Sequence, residues 1–155
     1  NSGFNLRPTD INASIGLSQL KRLKQILSIR NQNYNLLKKI LYLSKQFKNQ
    51  FEIITSSKSK DVAWFGIAII LNKNFIKLKN NIIIKLNKSG IETRPIISGN
   101  FVNQPCVDLH KIKYNKRELK NSEEIEKRGF FIGLPTRPLK NITVQILANI
   151  LLDLK

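Results

Sequence analysis

Residues 51–72, FEIITSSKSKDVAWFGIAIILN, hold two short apolar runs on either side of a polar loop. FEIIT and WFGIAIILN are rich in the β-branched and aromatic residues that favour strands. The SSKSKD segment between them has the serine and lysine content of an exposed connection. This stretch therefore predicts two paired strands, which are the first strands of a sheet.

The residues before these strands carry a helical pattern. Thr9 is expected to cap a helix, because its hydroxyl can accept a backbone N–H of the first turn. A second helical stretch spans about 30–47, and together the two predict one long helix with a bend. The apolar positions of the first stretch recur near the helical period at Ile11, Ile15, Leu20, Leu23 and Leu27.

The residues after these strands alternate between helical and extended patterns. Residues 75–89 suit a helix that ends at Gly90, since glycine is favoured just past a helix. IETRPII at 91–97 suits a strand. Residues 98–120 show no clean period, so they are expected to form a loop with weak local structure.

The C-terminal third predicts a helix, a strand and a final helix. Asn121 or Ser122 is expected to cap the short helix SEEIEKR, and GFFIG at 129–133 is expected to be a strand. An amphipathic helix follows at about 141–154. The complete order predicts an α+β fold, with a small, mostly antiparallel sheet and helices packed on one face.

Composition bounds the class of protein. The chain has 155 residues and is 41% hydrophobic, which suits one globular domain. No apolar run approaches the roughly 20 residues that cross a bilayer, so a cytoplasmic protein without membrane insertion is expected. The single cysteine, Cys106, has no partner for a disulfide or a metal site. The sequence contains no methionine, and we expect it to be a piece of a longer polypeptide.

The net charge of +17 raises the alternative of a basic, non-enzymatic nucleic-acid-binding module. The lysines are spread over nearly every segment, and no zinc-finger or RNP-type motif is present. Nucleic acid is therefore not the expected partner, although this alternative stays open.

Two segments carry candidate anion-binding residues. Asn5 and Arg7 precede a helix N-terminus, where backbone N–H groups favour an anion and an arginine can add bidentate contacts to phosphate. Arg94 precedes Pro95, which restricts its backbone to extended conformations. The turn after it offers Ser98, Gly99 and Asn100, which could hold a phosphate or sugar hydroxyls. A helix-entry turn and a strand end are the plain structural alternatives.

A third segment, FVNQPCVDLH at 101–110, is less specific. Asn103, Gln104 and His110 could line a site, although a lone histidine in a loop is more often polar surface. No Ser-His-Asp arrangement, carboxylate pair, phosphate-binding loop or metal cluster is apparent. The residues favour binding rather than catalysis within this chain.

With these residues in view, the chain resembles the C-terminal part of the DegT/DnrJ/StrS family of pyridoxal-phosphate-dependent nucleotide-sugar enzymes. GFNLRPTDINASIGLSQLKRL at 3–23 is similar to the family segment in which a Gly-aromatic-Asn-x-Arg turn enters a helix. GIETRPIISGNFVNQP at 90–105 is similar to the branch that acts on keto-deoxy sugars, and KRGFFIG before a terminal helix fits the family's ending.

The resemblance implies a fold-type I enzyme, normally a homodimer, in deoxysugar or surface-polysaccharide biosynthesis. Residues 1–50 would form the end of the large domain and its linker, and residues 51–155 the small C-terminal domain. Asn5 and Arg7 would lie at the pyridoxal 5′-phosphate (PLP). The nucleotide sugar would lie by the substrate residues Arg94, Ser98, Gly99, Asn100, Gln104 and His110.

The reaction stays open at this point. In the family, the Schiff-base lysine of the aminotransferases, which is a histidine in the 3-dehydratases, belongs to an upstream segment. The resemblance therefore assigns no catalytic residue to this chain and implies that the chain alone is inactive. Aminotransfer and dehydration both remain possible reactions of the whole enzyme.

Overall fold

The computed structural model describes residues 9–56 and 62–152. Its first helices are α1 (Asp10–Leu20), α2 (Leu23–Leu43) and α3 (Lys45–Gln50), followed by strands β1 (Phe51–Ile53) and β2 (Gly66–Leu71). A 3₁₀ turn (Lys73–Leu78) leads into α4 (Lys79–Lys88) and the short strand β3 (Thr93–Arg94). The remaining elements are a 3₁₀ turn (Phe101–Asn103), α5 (Pro105–Leu109), a 3₁₀ turn (Lys116–Leu119), α6 (Lys120–Arg128), β4 (Gly129–Gly133) and α7 (Asn141–Leu152).

The N-terminal helical segment begins where the sequence indicates. The Thr9 hydroxyl accepts the backbone N–H of Asn12 at 3.3 Å, which confirms the predicted cap. The predicted single bent helix is instead three helices. A turn at residues 21–22 separates the first two, and Ser44 starts the third by accepting the N–H of Phe47. The hydroxyl of Ser44 thus satisfies a free N–H of α3, so the chain can change direction there.

The four strands form one antiparallel sheet in the order β1-β2-β4-β3. Phe51 lies opposite Leu71, and Ile69 lies opposite Phe130. The predicted α+β fold with a mostly antiparallel sheet is confirmed. The strand expected at 91–97 shrinks to Thr93–Arg94, because Pro95 has no N–H to continue the ladder.

One face of the sheet carries the core. Ile67, Ile69 and Leu71 alternate along β2 toward this face, as the two-residue period of a strand requires. They belong to one apolar cluster with residues of α2, α4 and α7, which confirms the predicted layer of helices. The fully buried members of that cluster include Leu41, Phe47, Ile82, Leu86 and Leu151.

On the opposite face of the sheet, Gly66 packs against one aromatic ring. A Cβ placed on Gly66 would lie 1.8 Å from Cζ of Phe131, so the ring occupies the space that a side chain would need. The Phe131 ring also lies 4.9 Å from that of Phe65, which is largely exposed. This face borders the cavity described below.

The segment expected to be a plain loop, 98–120, contains α5 and two 3₁₀ turns. The predicted caps Asn121 and Ser122 are wrong, because α6 continues directly from the preceding 3₁₀ turn and starts at Lys120. Gly90 does end α4, with a φ of 76° that favours glycine. No helix within residues 9–56 and 62–152 is long and apolar enough to cross a membrane.

Candidate functional site

A cavity of about 1100 Å³ opens beside the edge strand β3. We call it the arginine cavity, and its charged lining residues are Glu92, Arg94, Arg137 and Lys140. Much of the remaining wall is apolar and includes Phe65, Ile97, Phe131 and Leu139. Three cationic groups against one carboxylate, beside an apolar wall, suit an organic ligand that carries negative charge.

Arg94 lies at the edge of this cavity, where the sequence predicts an anchored arginine. Its backbone pairs with Phe131 in the sheet, and Pro95 follows it at the end of β3. Its Nε and Nη2 each lie 2.8 Å from Oε1 of Glu92, and the Arg94 side chain is 71% exposed. An ion pair this exposed contributes little to stability, so the guanidinium is available to exchange its partner for a phosphate.

The turn after Arg94 is strained at one residue. Ile97 has a φ of 52°, which is rare for a β-branched side chain, and its side chain is exposed and lines the arginine cavity. Such a conformation costs on the order of 1–3 kcal/mol and must be held by its surroundings. The strain therefore lies in the wall of the cavity.

The predicted Ser-Gly-Asn turn packs against α6. The Asn100 side chain is 4% exposed and donates to Glu123, and Asn103 donates to Glu123 and Glu126. A Cβ on Gly99 would lie 2.8 Å from Oε1 of Glu126, so a larger residue would have to displace that side chain of α6. Gly99 also has a positive φ of 69°.

The carboxylate of Glu123 is the acceptor on which this contact depends. Hydrogen bonds from Lys127, then from Asn100 and Asn103, lower its pKa to about 2. Glu123 is therefore ionised at neutral pH, and its negative charge holds the amides of the turn. The same charge is shared with Lys127 at 3.0 Å.

The remaining predicted substrate residues also lie outside the cavity wall. Gln104 donates its side-chain N–H to the Ser98 carbonyl at 2.8 Å, which closes the turn on itself. His110 ends α5 and is exposed. Of the six predicted substrate residues, Arg94 alone is among the described residues that line the arginine cavity. Direct substrate contact by the other five stays a prediction.

Two further predictions concern the cofactor-binding residues and metal ligands. Asn5 and Arg7, assigned to the cofactor, lie outside the described residues. Within 9–56 and 62–152, no group of three or more His, Cys, Asp or Glu side chains could hold a metal ion. The arginine cavity is one candidate ligand site in the described part of the chain.

Sequence reasoning missed Arg137 and Lys140. Both lie on the loop 134–140 between β4 and α7, where no functional residue was predicted. The available signal was a repeat: Thr-Arg-Pro occurs at 93–95 and again at 136–138. The argument from Pro95 that singled out Arg94 applies equally to Arg137.

Comparison with known proteins gives a family match over most of the chain. The sequence profile of the DegT/DnrJ/EryC1/StrS aminotransferase family matches residues 1–148. The GDP-4-keto-6-deoxy-D-mannose 3-dehydratase of Escherichia coli O55:H7 is 31% identical over 132 residues, which cover 84% of this chain and 32% of that protein. The chain therefore spans about a third of the length of this relative.

Solved structures agree with the sequence match. The E coli GDP-4-keto-6-deoxy-D-mannose-3-dehydratase with bound hydrated PLP has a TM-score of 0.79 and 28% identity, covering 96% of this chain and 36% of that one. A mutant of GDP-4-keto-6-deoxymannose-3-dehydratase (ColD) with bound GDP-perosamine has a TM-score of 0.80 and 28% identity. That match covers 97% of this chain and 37% of the ColD chain.

Proposed function

We propose that this chain, which belongs to the DegT/DnrJ/EryC1/StrS aminotransferase family, supplies the C-terminal part of a PLP-dependent enzyme acting on a nucleotide sugar. The two candidate reactions are amino transfer to the sugar and removal of its 3-hydroxyl group. Similarity to a GDP-sugar 3-dehydratase favours dehydration of a 4-keto-6-deoxy sugar. The enzyme would act in deoxysugar or surface-polysaccharide biosynthesis.

The observation that carries this proposal is the arginine cavity. A nucleotide sugar presents a diphosphate, an apolar base face and sugar hydroxyls. Arg94, Arg137 and Lys140 supply cationic donors for phosphate oxygens, and Phe65 and Ile97 supply apolar surface. Diphosphate recognition by arginine is favourable because the planar guanidinium can donate two hydrogen bonds to one phosphate.

The cofactor requires residues beyond those that line the cavity. PLP, when bound, supplies an electron sink for chemistry next to a carbonyl. Burial lowers the pKa of Lys79, but its Nζ donates to the Glu126 carbonyl at 2.8 Å and it does not line the cavity. An amine held there does not fit a Schiff-base role, so Lys79 is not proposed as the cofactor lysine. Asn5 and Arg7 remain the proposed contacts of this chain with PLP.

The organisation of the whole enzyme follows from the same assignment. Residues 1–50 would join the large domain to the small one, residues 51–155 would form the small domain, and the protein would be a cytoplasmic homodimer. Every described side chain of α1 is exposed, which supports a role for that helix in packing against another part of the enzyme. The core includes α2 from Tyr34 onward, so the later part of the 1–50 segment would pack against the small domain.

Nuclear magnetic resonance with GDP-mannose tests the proposed binding. We expect saturable shifts of the backbone amides at 91–97 and 134–140. Residues 116–119 do not line the cavity, so their amides should not shift. A filter-binding titration with RNA and DNA tests the alternative of a basic module. Tight nucleic-acid binding that falls steeply with salt, without shifts around the cavity, would favour that module.

The proposed inactivity of the isolated chain has its own test. Incubation with PLP and borohydride, followed by peptide mass spectrometry, is expected to label no single lysine stoichiometrically. Stoichiometric labelling of one lysine, lost when that lysine is replaced by alanine, would contradict the assignment of the Schiff-base position to an upstream segment.

A further inference from the structure

The loop 134–140 is held by hydrogen bonds from one buried side chain. Asn33 on α2 is 3% exposed, and its Nδ2 donates to the carbonyls of Pro135 at 3.1 Å and Arg137 at 2.8 Å. Its Oδ1 accepts the N–H of Leu139 at 3.0 Å. The amide thus uses its two donor hydrogens and its acceptor on three main-chain groups of one loop.

The prolines of this loop add a second restraint. Pro135 and Pro138 have fixed φ angles, and Pro138 also restricts the backbone of Arg137 before it. Because Asn33 binds the Arg137 carbonyl, the base of this side chain is held independently of where its guanidinium points. The Arg137 side chain has no hydrogen bond or ion pair to another described residue, and it lines the arginine cavity.

Arg137 and Arg94 therefore both line one cavity, and they share the same local sequence. Each follows a threonine, precedes a proline and is attached to a restrained backbone, one on the edge strand β3 and one on the loop before α7. A diphosphate has two phosphoryl groups, and each can accept two hydrogen bonds from one guanidinium. Preorganised donors lose less conformational entropy on binding than free ones.

We propose that Arg137 is a second phosphate-binding residue of the arginine cavity and that Asn33 positions it. This inference rests on the proposed function, because the ligand it names is the diphosphate of the nucleotide sugar. Arg94 and Arg137 bind the diphosphate together, whereas Asn33 touches only protein.

Calorimetry with GDP tests the role of Arg137. Arg137→Gln is expected to weaken binding about tenfold or more, because it removes a charge-assisted contact. Arg117→Gln is the matched control, since it removes the same charge from an exposed arginine outside the cavity. Its effect is expected to stay below about twofold at physiological salt. Arg137→Gln keeps the carbonyl that Asn33 binds, so the loop stays in place.

The outcomes separate the two proposals. Equal GDP affinities for Arg137→Gln and Arg117→Gln, with Arg94→Gln impaired, would overturn the role of Arg137 and leave the proposed function standing. No measurable GDP binding by the unchanged chain would overturn the proposed function and this inference with it.

A double-mutant cycle tests the positioning role of Asn33. Asn33→Asp places a carboxylate against two carbonyl oxygens, so we expect it to displace the loop and weaken GDP binding. In the Arg137→Gln background the same change is expected to have little further effect. Equal weakening in both backgrounds, in variants whose circular dichroism is unchanged, would show a general structural effect and overturn the assignment. The Arg137→Gln titration decides the binding role without this variant.

Discussion

The Asn100 side-chain amide donates to Oε2 of Glu123 across 3.2 Å, which ties the turn after Arg94 to α6. Asn100 is buried and Glu123 is partly exposed, so the contact joins a buried residue of the turn to a helix at the surface. The turn lies where a substrate-binding loop was predicted, and its Asn100 side chain faces the protein. Its conformation therefore depends on α6.

Removing this amide should loosen the turn. Asn100→Ala deletes a buried donor to a carboxylate and is expected to lower the melting temperature by about 2–4 °C. Asn80→Ala, at an exposed position of α4, is the control and should not lower it, because alanine favours helix. Differential scanning calorimetry measures both, and equal melting temperatures for the two variants would argue against the proposed anchor.

The same contact should depend on pH through Glu123. Hydrogen bonds lower its pKa from 4.5 to about 2, so its stabilising contribution is complete above about pH 4.5 and disappears as the pH falls through about 2. The unchanged chain should therefore be more stable than Glu123→Gln at pH 6, and this difference should shrink between pH 4.5 and pH 2. Urea unfolding at several pH values measures it. A difference that is constant with pH would contradict the assigned pKa.

A side chain at Gly66 should destabilise the sheet face beside the cavity. Gly66→Ala places a Cβ 1.8 Å from Cζ of Phe131, so the ring must move, at a cost of about 1–3 kcal/mol in the free energy of unfolding. Gly133 is the matched control: it lies directly opposite Gly66 in the sheet and has nothing within 4 Å of the added atom. Urea unfolding should therefore separate the two alanine variants. Equal losses would show that the ring does not fill this space.

The exposed apolar residues of α1 should make the chain associate. Ile11, Ile15, Leu17 and Leu20 are each at least 59% exposed, and several large exposed apolar side chains on one short helix promote association. Sedimentation at rising concentration is expected to show oligomers that Ile15→Lys reduces. Ile84→Lys, at an exposed position of α4, is the control and should leave them unchanged. A monomer at all concentrations would contradict this expectation.

The sequence predicted best where the signal is local. GFFIG is an apolar run between glycines, and it forms β4 with the predicted bounds. The Thr9 cap also depends on neighbours within one turn. The extended backbone of Arg94 could be predicted because Pro95 restricts it directly.

The parts that were missed depend on contacts between distant residues. Asn33 binds a loop more than 100 residues away, and a helical pattern with one amide on its apolar side does not name that partner. The hydrogen bond from Asn100 to Glu123 joins residues 23 positions apart, so the local pattern of the turn could not predict it. The start of α6 was misplaced because a 3₁₀ turn precedes it, and turn residues resemble caps in sequence.

The central claim is that Arg94 binds the diphosphate through two parallel hydrogen bonds from its planar guanidinium. Titration of GDP-mannose by calorimetry into the unchanged chain and Arg94→Lys tests it, with Arg117→Lys as the same substitution outside the cavity. We expect Arg94→Lys to weaken binding by roughly ten- to a hundredfold although charge is kept, because lysine cannot form the two parallel hydrogen bonds. Arg117→Lys should bind as the unchanged chain does. Equal affinities for the unchanged chain and Arg94→Lys would contradict the claim and leave Arg94 with a purely structural role.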